Sequence, residues 1–290
     1  VRKLSVSRAV MYVSIAVYSA LCLLPMLLVL MISITDEDAI LRNGYSLFPE
    51  KFSLYAYQVI FTGGSQVMRS YLISIFVTLA GTIAAVLITA MAGYTLANKS
   101  VRYRNGLALY FFITMIFSAG IVPWYLMNRS LGLTNNILAL IIPSLLFSPF
   151  NLFLVRNFMG GVPDSLRESA TIDGANDLAI AFRIYFPLST PVLATIALFY
   201  GLDYWNNWWN AIMLIDDKSL YPLQFMLLRL KSEISMLNEM TMLAGADDVT
   251  LPAESVKMAT AVVTIGPIVF FYPYLQKYFV KGLVIGSVKG

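Results

Sequence analysis

Residues 165–187, SLRESATIDGANDLAIAFRIYFP, form a polar, charged stretch between two apolar runs, about 137–156 and 190–212, each long enough to cross a membrane. Ser165-x-x-Glu168 follows Pro163-Asp164 and fits a capping box, which predicts a helix start. Leu166, Ala170 and Ile172 alternate with Arg167, Glu168 and Asp173, the pattern of a short amphipathic helix. Gly174 permits a sharp change of direction, and Leu178, Ile180, Ala181, Phe182 and Ile184 begin a second helical stretch. Pro187 and Pro191 mark the start of the next apolar run, where a lost backbone hydrogen bond disfavours a regular helix. The stretch therefore reads as a helix–turn–helix projecting from a membrane. A helix lying on a bilayer is rich in Lys and Arg, whereas residues 163–187 hold four acidic and two basic residues. It suits a groove on another protein better, with Glu168 and Asp173 available to basic residues there.

Composition supports the membrane reading. Apolar residues make up 59% of the 290 positions and charged ones 12%, against about half and about a quarter in soluble domains. Histidine is absent, which excludes His/Cys zinc sites and His-based acid–base chemistry. The one cysteine, Cys22, allows no intrachain disulfide and reads as a small buried apolar residue. No GxxxxGK[ST] phosphate loop occurs, so ATP hydrolysis is not expected of this chain. Arg2, Lys3 and Arg8 precede a long apolar run that reads as a permanent span, since a cleavable signal has a shorter core.

Six segments reach the length of a span: about 10–34, 71–97, 106–127, 137–156, 190–212 and 258–277. With the N-terminus inside, the cytoplasmic segments carry 12 basic and four acidic residues, and the external ones eight basic and 12 acidic. The basic excess marks the cytoplasmic face. Both termini, and the loop at about 157–189, are expected there. The external segments, about 36–70 and 213–257, include an aromatic amphipathic stretch at 52–58 and form a candidate docking surface. No internal repeat is visible, and one domain over 1–290 is the economical reading.

The spacing from Glu168 through Ala170 and Gly174 to Pro187 resembles the EAA motif of ABC importer permeases, in the carbohydrate-uptake class that includes the maltose permease subunits. Ser169 stands where the family has Ala, and Phe186 where it has Leu. Further similarities are Gly132-Leu133-Thr134-Asn135, Trp205-Asn206, Tyr278-Phe279-Val280-Lys281-Gly282 and the terminal Gly286-Ser287-Val288-Lys289-Gly290. The likeness runs along essentially the whole chain and is nearest the smaller permease subunits of importers for complex oligosaccharides such as alginate and pectin fragments. It implies an all-α, six-helix bundle of the type I importer fold in a bacterial inner membrane. It implies as partners a second homologous permease, an extracytoplasmic solute-binding protein and two ATPase subunits, which would hold the ATP and magnesium. Glu168, Ser169, Ala170, Asp173, Gly174 and Ala175 would couple to the ATPase, and the Gly286–Gly290 tail would reach into its dimer. No cofactor, metal or nucleic acid is implied for this chain.

Asp203, Tyr204, Trp205, Asn206, Trp208 and Trp209 are candidates for a substrate path, because rings and amides suit saccharide faces and hydroxyls. An interfacial aromatic belt is the competing reading. Trp208 and Trp209 are adjacent and cannot share a helix face, so at most part of the cluster lines a path. Asp203 equally suits an ion pair with a partner chain. Pro25, Pro123, Pro143 and Pro149 lie in or beside spans and permit kinks. An ion-coupled transporter or channel, and more remotely an intramembrane enzyme, are the alternatives. The first would show paired intramembrane acids or inverted repeats, and neither is apparent.

Overall fold

A computed structural model describes residues 6–62, 65–243, 252–266 and 269. Among these the chain is helical, with one isolated antiparallel bridge, Thr35 to Phe52. The helices are α1 (Val6–Ser33), α2 (Glu37–Asn43), α3 (Tyr55–Thr62), α4 (Ser65–Ala97), α5 (Arg104–Ile116), α6 (Ile121–Ser130), α7 (Leu138–Ile141), α8 (Pro149–Met159), α9 (Asp164–Ile172), α10 (Asp177–Ile180), α11 (Phe186–Leu188), α12 (Thr190–Trp205), α13 (Trp209–Leu214), α14 (Leu223–Leu243) and α15 (253–266). They form two compact units, one from the described residues of Val1–Val67 and Met226–Val269, the other from those of Met68–Phe225.

In the first unit α1 contains Pro25 and exposes apolar side chains over most of its surface. Cys22 is exposed on it, contrary to the buried position expected, because α1 packs on little within its unit. The Glu37 carboxylate accepts from the backbone N–H groups of Glu254 and Ser255 at 2.8 and 2.9 Å, and from the Ser255 hydroxyl. A carboxylate here satisfies donors at the start of α15 that have no helical partner and meets the positive end of the helix dipole. Tyr45 donates to Glu254, which pushes the phenol up to about 12 and, with Lys257 also nearby, holds the Glu254 carboxyl below its usual range.

In the second unit three of the expected spans are interrupted. The 106–127 run breaks at 117–120 into α5 and α6, which bend by 118°. Gly120 turns there at φ +82, and Pro123 falls in the first turn of α6, where its missing N–H costs no helical bond. The 137–156 run is non-helical from 142 to 148, with Pro143 after α7 and Pro149 opening α8. The 190–212 run breaks between α12 and α13. Two helices, Val10–Ser33 and Gln66–Ala97, are long and apolar enough to cross a membrane, and each of two bent pairs is so when taken together. The 258–277 expectation is described only as far as α15 and residue 269; its remainder lies outside the described residues.

The 142–148 break leaves backbone groups without helical partners, and α12 and α13 supply replacements. Tyr204 donates to the Ile141 carbonyl at 2.9 Å, and Asn210 donates to the Pro143 carbonyl at 2.8 Å. The Ser148 N–H donates to the Tyr200 hydroxyl at 3.0 Å, which also pairs with Thr89 at 2.7 Å. Tyr200 and Tyr204 are buried, and α4 approaches them closely through small residues. A Cβ on Gly81 would lie 2.4 Å from the Tyr204 ring, and one on Gly93 2.5 Å from Val155. Leu96, Ala108 and Leu152 form a core nearby, flanked by Phe111, Phe147 and Phe153.

Gly81→Ala should destabilise the detergent-solubilised protein by about 1–3 kcal/mol through overpacking against a hydrogen-bonded ring. Gly106→Ala, with open space at its Cβ, should be neutral or stabilising by up to about 1 kcal/mol. Thermal unfolding of the two variants side by side reads the difference.

Candidate functional site

The loop at 157–189 is a helical hairpin. α9 begins at Asp164, directly after Pro163, and shows no side-chain cap. The expected Ser165–Glu168 capping box is therefore not formed: Ser165 already lies inside the first turn, two residues past the cap position that Pro163 holds. Its C-terminus explains the motif spacing. Gly174 adopts φ +81, the Ala175 N–H donates to the Ala170 carbonyl at 2.9 Å, and the Gly174 N–H donates to Thr171 at 3.1 Å. This pair of bonds is a Schellman cap, which needs a residue tolerant of left-handed backbone at the position Gly174 holds. Asn176 then caps α10 by accepting from the Ala179 N–H at 2.8 Å.

Ala181–Tyr185 forms a π-turn two residues before Pro187. Pro187 cannot donate to the preceding turn and crowds its carbonyl, and the wider turn relieves both. Phe186 packs edge-on against Phe182 with centroids 4.8 Å apart. After Leu188 the chain bends by 84° into α12.

Glu168, Ser169, Asp173 and Gly174 are exposed, and Ala170 and Ala175 are half-buried. Ile172 at the tip is 86% exposed, with Leu178 and Phe182 also outward. The hairpin is tied to the end of α4 at four points. Lys99 pairs with Asp164 at 2.6 Å, and Arg167 donates to Ser100 at 3.0 Å. Tyr94 donates to Asp177 at 3.2 Å and stacks edge-on with Tyr185. The Lys99 ammonium holds the Asp164 carboxyl below the usual carboxylate range. The Gly286–Gly290 tail lies outside the described residues.

The aromatic cluster at 203–209 divides. Tyr204 and Trp205 are buried, and the Tyr204 hydroxyl is committed to Ile141. Asp203 is exposed, and Asn206 is exposed and accepts from Gln224 at 3.2 Å. Trp208 is exposed and meets Trp209 edge-on at 5.8 Å. Trp209 alone of the six lines an open cavity of about 760 Å³, together with Ser118, Gly120, Trp124, Asn128 and Ser144 among others. Trp124 is absent from the sequence-based candidates. The available signal was its place directly after Pro123 and four residues past Gly120, at a helix restart.

The sequence profile of the family described as binding-protein-dependent transport system inner membrane component matches residues 90–285. The polygalacturonan/rhamnogalacturonan transport system permease protein YtcP of Bacillus subtilis (strain 168) is 37% identical, over 96% of each chain. Protein LplC of the same organism is 38% identical, over 93% of this chain and 90% of its own. A chain from the crystal structure of a bacterial ABC transporter involved in the import of the acidic polysaccharide alginate matches with a TM-score of 0.80 at 30% identity, over 96% of this chain and 100% of that one.

Gly174→Ala meets no neighbouring atom, so its cost is backbone strain alone, about 1–2 kcal/mol; hydrogen exchange at the Ala175 amide should accelerate. Asp164 has a depressed pKa in the fold, so its contribution is present above the ordinary carboxylate range and lost as pH falls through the folded value. Lys99→Met should raise that value, read by titrating hydrogen exchange across 164–172.

Proposed function

Because the chain belongs to the family of binding-protein-dependent transport system inner membrane components, we infer that it is the permease subunit of an ATP-driven importer of uronate-containing oligosaccharides. The substrate class follows the polygalacturonan/rhamnogalacturonan and alginate systems to which the chain is similar. The chain crosses the inner membrane six times with both termini cytoplasmic, a reading supported by the excess of basic residues on that face. It pairs with a second permease. The external segments near 36–70 and 213–257 receive a solute-binding protein. ATP and magnesium belong to two separate ATPase subunits, and no covalent bond is broken here. Family membership displaces the ion-coupled alternative.

The observation that carries the mechanism is the exposed hairpin braced on α4. Ile172, Leu178 and Phe182 present apolar surface beside the carboxylates of Glu168 and Asp173, the composition of a contact made with another protein. ATP-driven closure of the ATPase pair displaces the hairpin. The Schellman cap keeps its two arms at a fixed angle, and the Lys99–Asp164, Arg167–Ser100 and Tyr94–Asp177 contacts pass the displacement to α4. Rigid elements of this kind move as bodies, and the bundle alternates between outward and inward access. The Gly286–Gly290 tail adds a second contact with the ATPase.

The test uses the assembled complex with its binding protein. Glu168→Ala combined with Gly174→Val should abolish oligosaccharide-stimulated ATP hydrolysis, while the binding protein still captures sugar and the complex still co-purifies. Undiminished stimulation in the double variant would remove the coupling role.

A further inference from the structure

Non-helical backbone at bilayer depth is tolerated only where protein buries it or water reaches it. The breaks at 117–120 and 142–148 open on one cavity, the space of about 760 Å³ bounded by Ser118, Gly120, Ser144 and Trp209. Ser118 and Ser144 put exposed hydroxyls on its wall, which suit water or a sugar hydroxyl better than lipid chains. Its two tryptophans come from different helices, and Trp124 and the residue after Trp209 bond consecutive residues of the same break. The Trp124 indole N–H donates to the Ser144 hydroxyl at 2.8 Å. Asn210, next to Trp209, donates to the Pro143 carbonyl at 2.8 Å. Asn128 in turn donates to the Trp124 carbonyl at 2.8 Å. The Trp124 ring is therefore held in place before any ligand arrives, and Trp209 sits on an anchored turn beside Trp208, which lowers the ordering cost of binding.

We propose that this cavity is a saccharide subsite carried by this chain, with Trp124 and Trp209 as its stacking surfaces and the Ser144 hydroxyl as a polar contact. The proposal rests on the importer reading above and deepens it. Sugar rings present apolar C–H faces and a rim of hydroxyls. Trp rings cover the first, and a serine that accepts from an indole N–H still has a proton to give to the second. None of the described residues lining the cavity is charged. The subsite thus reads ring faces and hydroxyls and is indifferent to carboxylates, so recognition of the acidic groups belongs elsewhere along the path. Tyr204 is excluded from it, because its hydroxyl already serves Ile141 and its ring fills the space over Gly81.

The experiment takes the whole complex carrying Cys22→Ala and Ser118→Cys and measures modification of the new thiol by a methanethiosulfonate reagent. Trigalacturonate and its carboxyl-reduced counterpart should slow modification several-fold and to the same extent. Adding Trp124→Ala or Trp209→Ala should raise the sugar concentration needed by about tenfold, the loss of one good aromatic contact; Phe at either position should restore most of it. No protection, protection by the acidic sugar alone, or alanine variants protected like the parent would overturn the proposal. ATP hydrolysis in the same samples separates the two readings. Sugar-stimulated hydrolysis without protection defeats the subsite and leaves the importer standing; protection without any stimulation does the reverse.

Discussion

Backbone amides and carbonyls freed from a helix and buried need other partners, and in this chain the interruption at 142–148 depends on three side chains for them. Tyr204, Asn210 and Tyr200 answer the Ile141 carbonyl, the Pro143 carbonyl and the Ser148 amide. Leaving any of these buried groups unpaired costs on the order of 1–3 kcal/mol. The pairing therefore fixes α12 and α13 against α7 and α8, and with them the place of Trp209. It also dictates the glycine at 81, since α4 must come close enough to cover the Tyr204 ring.

The hairpin at 164–188 obeys the same demand by local means. The last carbonyls of α9 have no partner further along the helix, and Ala175 and Gly174 donate to them. That geometry explains a spacing that otherwise looks like a bare signature: Ala170 and Ala175 close the six-residue ring, and Gly174 supplies the positive φ inside it. The hairpin's apolar tip is left outward while its base is tied to α4 by charge pairing and hydrogen bonds.

Much of this was legible in the chain itself. Apolar runs marked a chain of apolar helices, two of them long enough to cross a membrane and two more bent pairs that are so together, and the Glu168-to-Pro187 spacing marked the hairpin. The interruptions were written as Gly120, Pro123, Pro143 and Pro149, yet hydropathy averages over a window and takes no account of whether the backbone is helical, so those runs read as continuous. Capping was misplaced by two residues because Pro163 holds the cap position and Asp164 starts α9 before Ser165 can cap it. Cys22 reads as buried because its neighbours are apolar, although apolar neighbours on α1 face outward together.

By itself the sequence determined that the chain is a helical membrane protein with a protruding, acidic hairpin, because periodicity, charge placement and turn residues act over a few positions. Only the tertiary structure decided which aromatic residues support the backbone and which line the cavity. Tyr204 and Trp209 lie five positions apart in one cluster, and Trp124 lies 80 residues away. Their roles depend on which carbonyls and hydroxyls the helix breaks bring within reach, and those contacts exist only once distant segments have packed.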